Sequence, residues 1–320
     1  MGNVVPHQLL VGDDFAEYMH TSETQARVIP ASNYRDLLKR AMYEPAKVVP
    51  GLPWSKTLEH IAFRAGEVSL WAGANGSGKS MLLSHVMLGL VRQRERACIA
   101  SFEMKPVRQL ERMARQTAMN AKPAETAIDA MFDWLTGRLW FYDQQGPAKA
   151  AMVYAVCRYA ADRLKCSQIV IDSLMKCVRG EDDYNGQKDF VDELTSIARD
   201  TGLHIHLVHH IKKPDDESRV PSKYDAKGSG SISDQVDNVF MFWRNKPKER
   251  IADREARGEK MTEKDLAALK HPDSLLVCDK QRNGDFEGRI SLWFHVGALQ
   301  YCADPSRRPM ELIQNETPTR

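Results

Sequence analysis

The stretch Gly73-Ala74-Asn75-Gly76-Ser77-Gly78-Lys79-Ser80 carries the clearest chemistry in this 320-residue chain. Its glycines allow the backbone N–H groups to point inward around a polyphosphate. A lysine and a hydroxyl follow at the spacing that sets an ammonium against the β and γ phosphates and an oxygen ligand against Mg²⁺. The flanks suit that use. Residues 67–72 read as a strand, and 80–94 as a helix whose N-terminus adds free N–H donors and a favourable dipole. A bound Mg²⁺ also needs a carboxylate at the end of a neighbouring buried strand. Ile169-Val170-Ile171-Asp172 supplies one, so Ser80 and Asp172 are the expected metal ligands. Hydrolysis further needs a group to orient and deprotonate water. Glu103, at the end of the apolar run 97–102, is placed for that, because open α/β sheets bind ligands at strand carboxyl ends. The run 203–208 leads into His209 and His210, either of which could sit near a γ phosphate. A rival use of His204, His206, His209 and His210 is a metal site. On a strand the first two share a face while the last two lie past its end, and no cysteine or carboxylate stands at zinc spacing from them.

The elements that must position these groups alternate. Apolar or β-rich runs at 68–72, 97–102, 139–142, 168–171, 203–208, 236–243 and 274–278 are separated by helical patterns at 80–94, 106–121, 149–165 and 187–200. Strands alternating with helices of this length predict an α/β fold with a mainly parallel central sheet. Runs at 290–295 and 298–301 predict closing antiparallel strands. Residues 1–50 read as an N-terminal helical or linker segment, with helix-like pieces near 13–20 and 32–43. Proline and glycine at 48–53 mark a boundary. The motor proper is expected at 51–304, followed by a frayed tail at 305–320. The charged segment 246–272 predicts a solvated surface helix or a mobile insertion.

Composition narrows the class. Hydrophobic residues make up 42% and charged residues 28%, an ordinary globular balance, and the net charge is only +2. Any polyanion site is therefore local. The six scattered cysteines form no CxxC pair, which argues for a reducing compartment rather than a disulfide framework or a zinc finger. No secretion signal opens the chain, and no apolar run approaches the roughly 18 residues of a membrane helix. A soluble, cytoplasmic protein without membrane contact is expected.

Together, GANGSGKS at 73–80, SFE at 101–103, IVIDS at 169–173, HLVHHIKKP at 206–214 with GSGSISDQVDNVFMFWRN at 228–245, and KQRNGDFEG at 280–288 resemble the hexameric replicative helicases of the DnaB type, especially the helicase half of phage primase-helicases and the Twinkle helicase. The resemblance spans roughly 65–300. It implies a RecA-like P-loop NTPase core, ATP or another (deoxy)nucleoside triphosphate with Mg²⁺ as cofactors, a homo-oligomeric ring, most simply a hexamer, and single-stranded DNA as partner. It implies that Lys79 and Ser80 are the phosphate and Mg²⁺ residues, Glu103 the catalytic glutamate, Asp172 the metal aspartate and His210 the phosphate sensor. It makes Arg282 an arginine finger entering the neighbour's site, with Lys280 at an accompanying basic position and Arg244 near the nucleotide base. DNA contacts would come from Lys212, Lys213, Lys223 and Lys227 with Gly228, Ser229 and Gly230, a loop that grips backbone without reading bases. The chain departs from some relatives where a glutamine follows the Gly-Ser-Gly loop: Asp234 stands there, with Gln235 next. Residues 1–50 are too few for a primase domain or a large helical collar, so a phage- or plasmid-type ring helicase of 5′-to-3′ polarity, served by a separate primase, polymerase or loader, is the expectation. The N-terminal segment would dock on the adjacent subunit. A recombinase that coats DNA as a filament, and a DNA-stimulated regulatory or loader ATPase, are the alternatives.

Overall fold

The computed structural model describes residues 31–44, 48–180, 183–211, 216–226 and 231–313. In chain order the elements are α1 (Arg35–Tyr43), β1 (Val68–Gly73), α2 (Lys79–Arg92), β2 (Ala97–Ser101), α3 (Pro106–Ala118), α4 (Glu125–Leu135), β3 (Leu139–Tyr142), α5 (Ala150–Asp162), β4 (Gln168–Asp172), α6 (Tyr184–Thr201), β5 (His204–His210), α7 (Ser231–Gln235), β6 (Asn238–Arg244), α8 (Lys246–Ala256), α9 (Glu263–Leu269), β7 (Ser274–Gln281), β8 (Gly288–His295) and β9 (Gln300–Cys302).

Among the described residues the nine strands form one sheet in the order β3-β2-β4-β5-β1-β6-β7-β8-β9. Strands β3 through β6 run parallel, and β7, β8 and β9 close the sheet antiparallel, as the alternation of runs predicts. Parallel strands carry crossover helices on both faces and are buried on both. Every residue of β1, β2 and β4 is accordingly buried. Alternate residues feed two cores. Leu70, Ala72, Ile169, Ile171, Ile205 and Leu207 face α5 and α6. Trp71, Ile99, Val170, Val208 and Phe240 face α2, α3 and α4. Helix α2 is apolar around most of its circumference because it sits between the sheet and α3 rather than at the surface.

Several boundaries differ from the sequence reading. Strand β5 runs on through His209 and His210 rather than ending at 208, because it pairs with β1 as far as Gly73. Helix α4 was hidden by the loop-like residues before it, although Ile128, Met131 and Leu135 follow a helical period; Met131 and Leu135 are buried. The stretch at 48–53 is no loose boundary: Leu52 and Trp54 are buried in the core, and the Trp54 indole donates to the Tyr301 carbonyl at 2.6 Å. The expected frayed tail is tied down as far as residue 313. Leu312 is fully buried, Met310 N–H donates to the Gln300 side chain at 2.8 Å, and Arg307 pairs with Asp273 at 3.1 Å. The charged segment 246–272 folds into α8 and α9, pinned where the Lys248 ammonium meets Asp273 at 2.7 Å. The helix-like piece near 13–20 lies outside the described residues.

Candidate nucleotide site

Four neighbouring parallel strands, β2, β4, β5 and β1, end side by side, about 4.8 Å apart. Their carboxyl ends deliver, in that order, Glu103, Asp172, His210 and the loop at Gly73. Sequence order alone could not align them, because β2 reaches β1 only across β4 and β5.

The loop from Gly73 to Ser80 leaves β1 and turns into α2. Gly78 sits in the left-handed region at φ +97°, and a Cβ there would stand 2.6 Å from the Tyr301 hydroxyl, so only glycine fits. The Ser77 hydroxyl is buried without a hydrogen-bond partner inside this ring of N–H groups. Buried polar atoms are rarely left so, and a phosphate oxygen would satisfy it. The Lys79 ammonium folds back over the loop and donates to the Gly73 and Ala74 carbonyls, both at 2.9 Å. Burial pulls its pKa down to about 8, against the opposing pull of Asp172 and Glu103.

Ser80 Oγ donates to Asp172 Oδ2 at 2.7 Å. Burial raises the Asp172 carboxyl above the ordinary range, while the Ser80 hydrogen bond holds it down in part. A hydroxyl and a desolvated carboxylate facing each other beside a phosphate loop are the hard oxygen donors that Mg²⁺ takes, so these residues fit the ion. The Asp172–Ser173 peptide is cis. The next hydroxyl, Ser173 Oγ, donates to Glu103 Oε1 at 2.8 Å, and His210 Nε2 approaches the same oxygen at 3.5 Å, a long contact. The His210 contact, ahead of the Ser173 hydrogen bond, takes the Glu103 carboxyl down to about 2 against the effect of burial. Glu103 is thus an anion that keeps about a third of its side-chain surface open.

Two cavities flank the loop. One of about 670 Å³ lies on the Glu103 and His210 side and is also lined by Gln145, Gly146 and Lys176. The other, about 270 Å³, is lined by Ala74, Asn75, Trp243, Arg244 and Glu217 on the β6 side. Arg244 there binds Glu249 at 2.6 Å and reaches the Gly76 carbonyl at 3.4 Å, so it stands against the loop as the resemblance implies.

Other expected residues lie elsewhere. Arg282 and Lys280 are not brought to their own loop. Gln281 pairs with Asn238, and Asn238 with Ser69, four residues before Gly73, so Arg282 lies about 13 Å of strand from the loop, at the other end of the sheet. The Lys280 ammonium donates to the carbonyls of Ser233, Asp234 and Val236 at the end of α7. Asp234 is exposed, and Gln235 turns to Asp192 on α6 at 2.6 Å. Lys223 is anchored rather than free: its backbone N–H donates to the Asp279 carboxylate at 2.6 Å, and its ammonium lies over the Tyr224 ring. Lys212, Lys213, Lys227, Gly228, Ser229 and Gly230 lie outside the described residues.

The histidine pair that rivalled this site as a metal centre is structural. His204 Nδ1–H donates to the Arg64 carbonyl at 2.7 Å and its Nε2 accepts from Ser69 at 2.8 Å. His206 Nδ1 accepts from the Trp71 indole at 3.1 Å and its Nε2–H donates to Gln168 at 3.0 Å. With both rings committed at both nitrogens, neither has a lone pair for a metal. Sequence reading missed Ser173, Gln145, Lys176 and Tyr301. A hydroxyl directly after the metal aspartate was the one available signal; the others meet the site through long-range packing.

This arrangement is that of a P-loop nucleotide-binding domain. The AAA domain family profile matches residues 52–216, just over half the chain, and the chain belongs to that family. Among solved structures it is similar to an isolated ATPase domain, at 14% identity and a TM-score of 0.66, over 86% of this chain and 99% of that one. It is also similar to a DnaB-like replicative helicase solved in a study of its interactions with primase, at 14% identity and a TM-score of 0.63, over 88% of this chain and 68% of the other. The fold is therefore the RecA-like motor fold of DnaB-type helicases. Among the described residues no helix is long and apolar enough to cross a membrane.

Proposed function

We propose that this chain hydrolyses ATP, or a related nucleoside triphosphate, at clefts shared between copies in a ring, most simply a hexamer, and uses the cycle to move along single-stranded DNA as a replicative helicase. One observation carries the reading. Lys79, Ser80, Asp172, Glu103 and His210 converge on the loop, whereas Arg282, 41% exposed, stands at the far end of the sheet where its own site is out of reach.

In this mechanism the loop N–H groups and Lys79 bind the β and γ phosphates. Ser80 and Asp172 hold Mg²⁺, which when bound neutralises phosphate charge. Glu103, oriented by Ser173, holds the attacking water and accepts its proton, and His210 reads the state of the γ phosphate through the same carboxylate. Arg244 borders the cavity that would take the base. Arg282 of one copy stabilises charge on the transferring phosphoryl group of the next, so turnover waits for ring closure. Helix α1 supports assembly: Leu37, Leu38 and Met42 are about 60% exposed on one face, which suits docking on a neighbouring copy. Lys212, Lys213 and Lys227, with the Gly228-Ser229-Gly230 turn, would grip the DNA backbone, with the 5′-to-3′ polarity implied by the resemblance. A separate primase, polymerase or loader would complete the system.

The test mixes two inactive variants. Arg282→Ala keeps its own loop and lacks the finger; Lys79→Ala lacks a working loop and keeps the finger. Mixed rings contain interfaces with both intact, so hydrolysis should return. Failure of the mixture, with both variants folded and assembled, would refute a finger acting between copies. Unwinding of a forked duplex by the unaltered protein tests helicase action; DNA-stimulated hydrolysis without unwinding would support a regulatory ATPase instead.

A further inference from the structure

We infer that Asp237 is a positioning residue for hydrolysis in the neighbouring copy: its buried carboxylate holds the Arg282 guanidinium in the geometry from which it reaches across the interface. The inference rests on the proposed role of Arg282.

Asp237 is 5% exposed and lies between α7 and β6. One carboxylate oxygen, Oδ2, accepts from the Val68 N–H at 2.9 Å, and the other, Oδ1, stands 3.3 Å from Arg282 NH1. The backbone repeats the link: Arg282 N–H donates to the Asp237 carbonyl at 2.9 Å, and Asp237 N–H to the Val68 carbonyl at 3.0 Å. Arg282 NH2 also donates to the Asp234 carbonyl at 3.1 Å. A carboxylate this enclosed is costly unless paired and hydrogen-bonded, and here the pairing falls on the arginine that the mechanism needs. A long flexible side chain at the surface would otherwise sample many rotamers.

A second clamp holds the turn that carries Arg282. Glu67, 4% exposed, accepts from Asn283 Nδ2 at 2.7 Å and from Asn238 Nδ2 at 3.0 Å. Gln281 Nε2 ties the turn's base to the His60 carbonyl at 2.9 Å. Both buried carboxylates bracket the start of β1, Glu67 just before it and Asp237 on the N–H of its first residue. The same strand ends at Gly73 in the phosphate loop. One rigid strand thus bears the copy's own loop at one end and the support of its finger at the other.

The test is Asp237→Asn in the full chain. An amide oxygen can still accept from Val68, but the charge facing Arg282 is gone. A finger misplaced by about 1 Å lowers turnover by up to about 100-fold, so kcat should fall between about 10- and 100-fold with KM for ATP within about twofold. Combined with Arg282→Ala, Asp237→Asn should cause no further loss, since residues acting as one unit are not additive. Mixed with Lys79→Ala subunits, it should regain hydrolysis, which a defect in its own site would not allow. A further loss in the double variant, or no rescue where the Arg282→Ala mixture is rescued, would overturn the assignment of Asp237 and leave that of Arg282 intact. If the Arg282→Ala mixture is itself not rescued, the reading beneath the proposal fails. Should Asp237→Asn not fold, Asn283→Ala loosens the same turn from the surface: kcat should drop about fivefold, the worth of one hydrogen bond, and recover in the mixture, whereas an unchanged kcat overturns the clamp.

Discussion

Lowering the pH from 7.5 to 5 should destabilise this protein by about 4 kcal/mol or more, through histidines that the core keeps neutral. His85, His204 and His206 are each fully buried. Burial takes His85 from an ordinary 6.5 down to about 3 and His204 to about 4, and lowers His206 further. The unfolded chain binds a proton at each imidazole below about 6.5, while the folded core refuses it until pH 3 to 4. In that window the unfolded state holds more protons, so stability is complete above 6.5 and is lost as pH falls. At pH 5 each of the two valued sites loses about 2 kcal/mol, and His206 adds to the loss in the same direction. A domain typically holds about 5–15 kcal/mol in all. Glu103, held low, starts to contribute its own loss only below its ordinary 4.5, outside this window. Equilibrium urea unfolding at pH 7.5, 6 and 5 should show the midpoint falling by more than about 1 M, given a slope of about 3 kcal/mol per M. His85→Leu isolates the cause. The ring's Nε2 has no hydrogen-bond partner and its Nδ1 only a long 3.4 Å contact from Tyr301 N–H, so leucine should fit at little cost. The variant should lose about 2 kcal/mol less than the unaltered protein between pH 7.5 and 5. A midpoint indifferent to pH, or a His85→Leu variant with an unchanged pH dependence, would refute the reasoning.

Other perturbations read the site directly. Glu103→Gln should bind nucleotide with unchanged affinity while hydrolysis falls about 10²- to 10⁴-fold, measured by fluorescent-nucleotide titration beside steady-state phosphate release. Because the free Lys79 ammonium titrates at about 8, nucleotide affinity should weaken as pH rises above 8 and stay level from 6 to 7.5; a flat profile to pH 9.5 would remove Lys79 charge from binding. Leu312→Ala should cost about 2–5 kcal/mol in unfolding measurements, since that side chain is fully buried; a frayed tail would show no change.

Some of this was open to reading before any fold was known. The turn from Gly73 to Ser80, the apolar run ending in Asp172 and the carboxylate after the 97–102 run are local signals. Glycine freedom, hydrophobic period and helix-end dipoles act within a few residues and leave their mark in a short window. The parallel sheet with an antiparallel close was legible for the same reason. What the string could not carry is adjacency. The placement of Glu103, Asp172 and His210 on one line depends on strand order, and strand order is set by crossovers over tens of residues. The extension of β5 through His210 follows from its pairing with β1, not from its own composition. Tyr301 beneath the phosphate loop, Leu312 in the core and Asp237 against Arg282 are contacts between residues far apart in sequence, chosen by packing. Residue types thus determined which chemistry this chain can do, because a functional group and its nearest backbone are a local affair. Only the tertiary structure decided which groups meet and which stand apart, because burial and register are settled by the whole sheet at once.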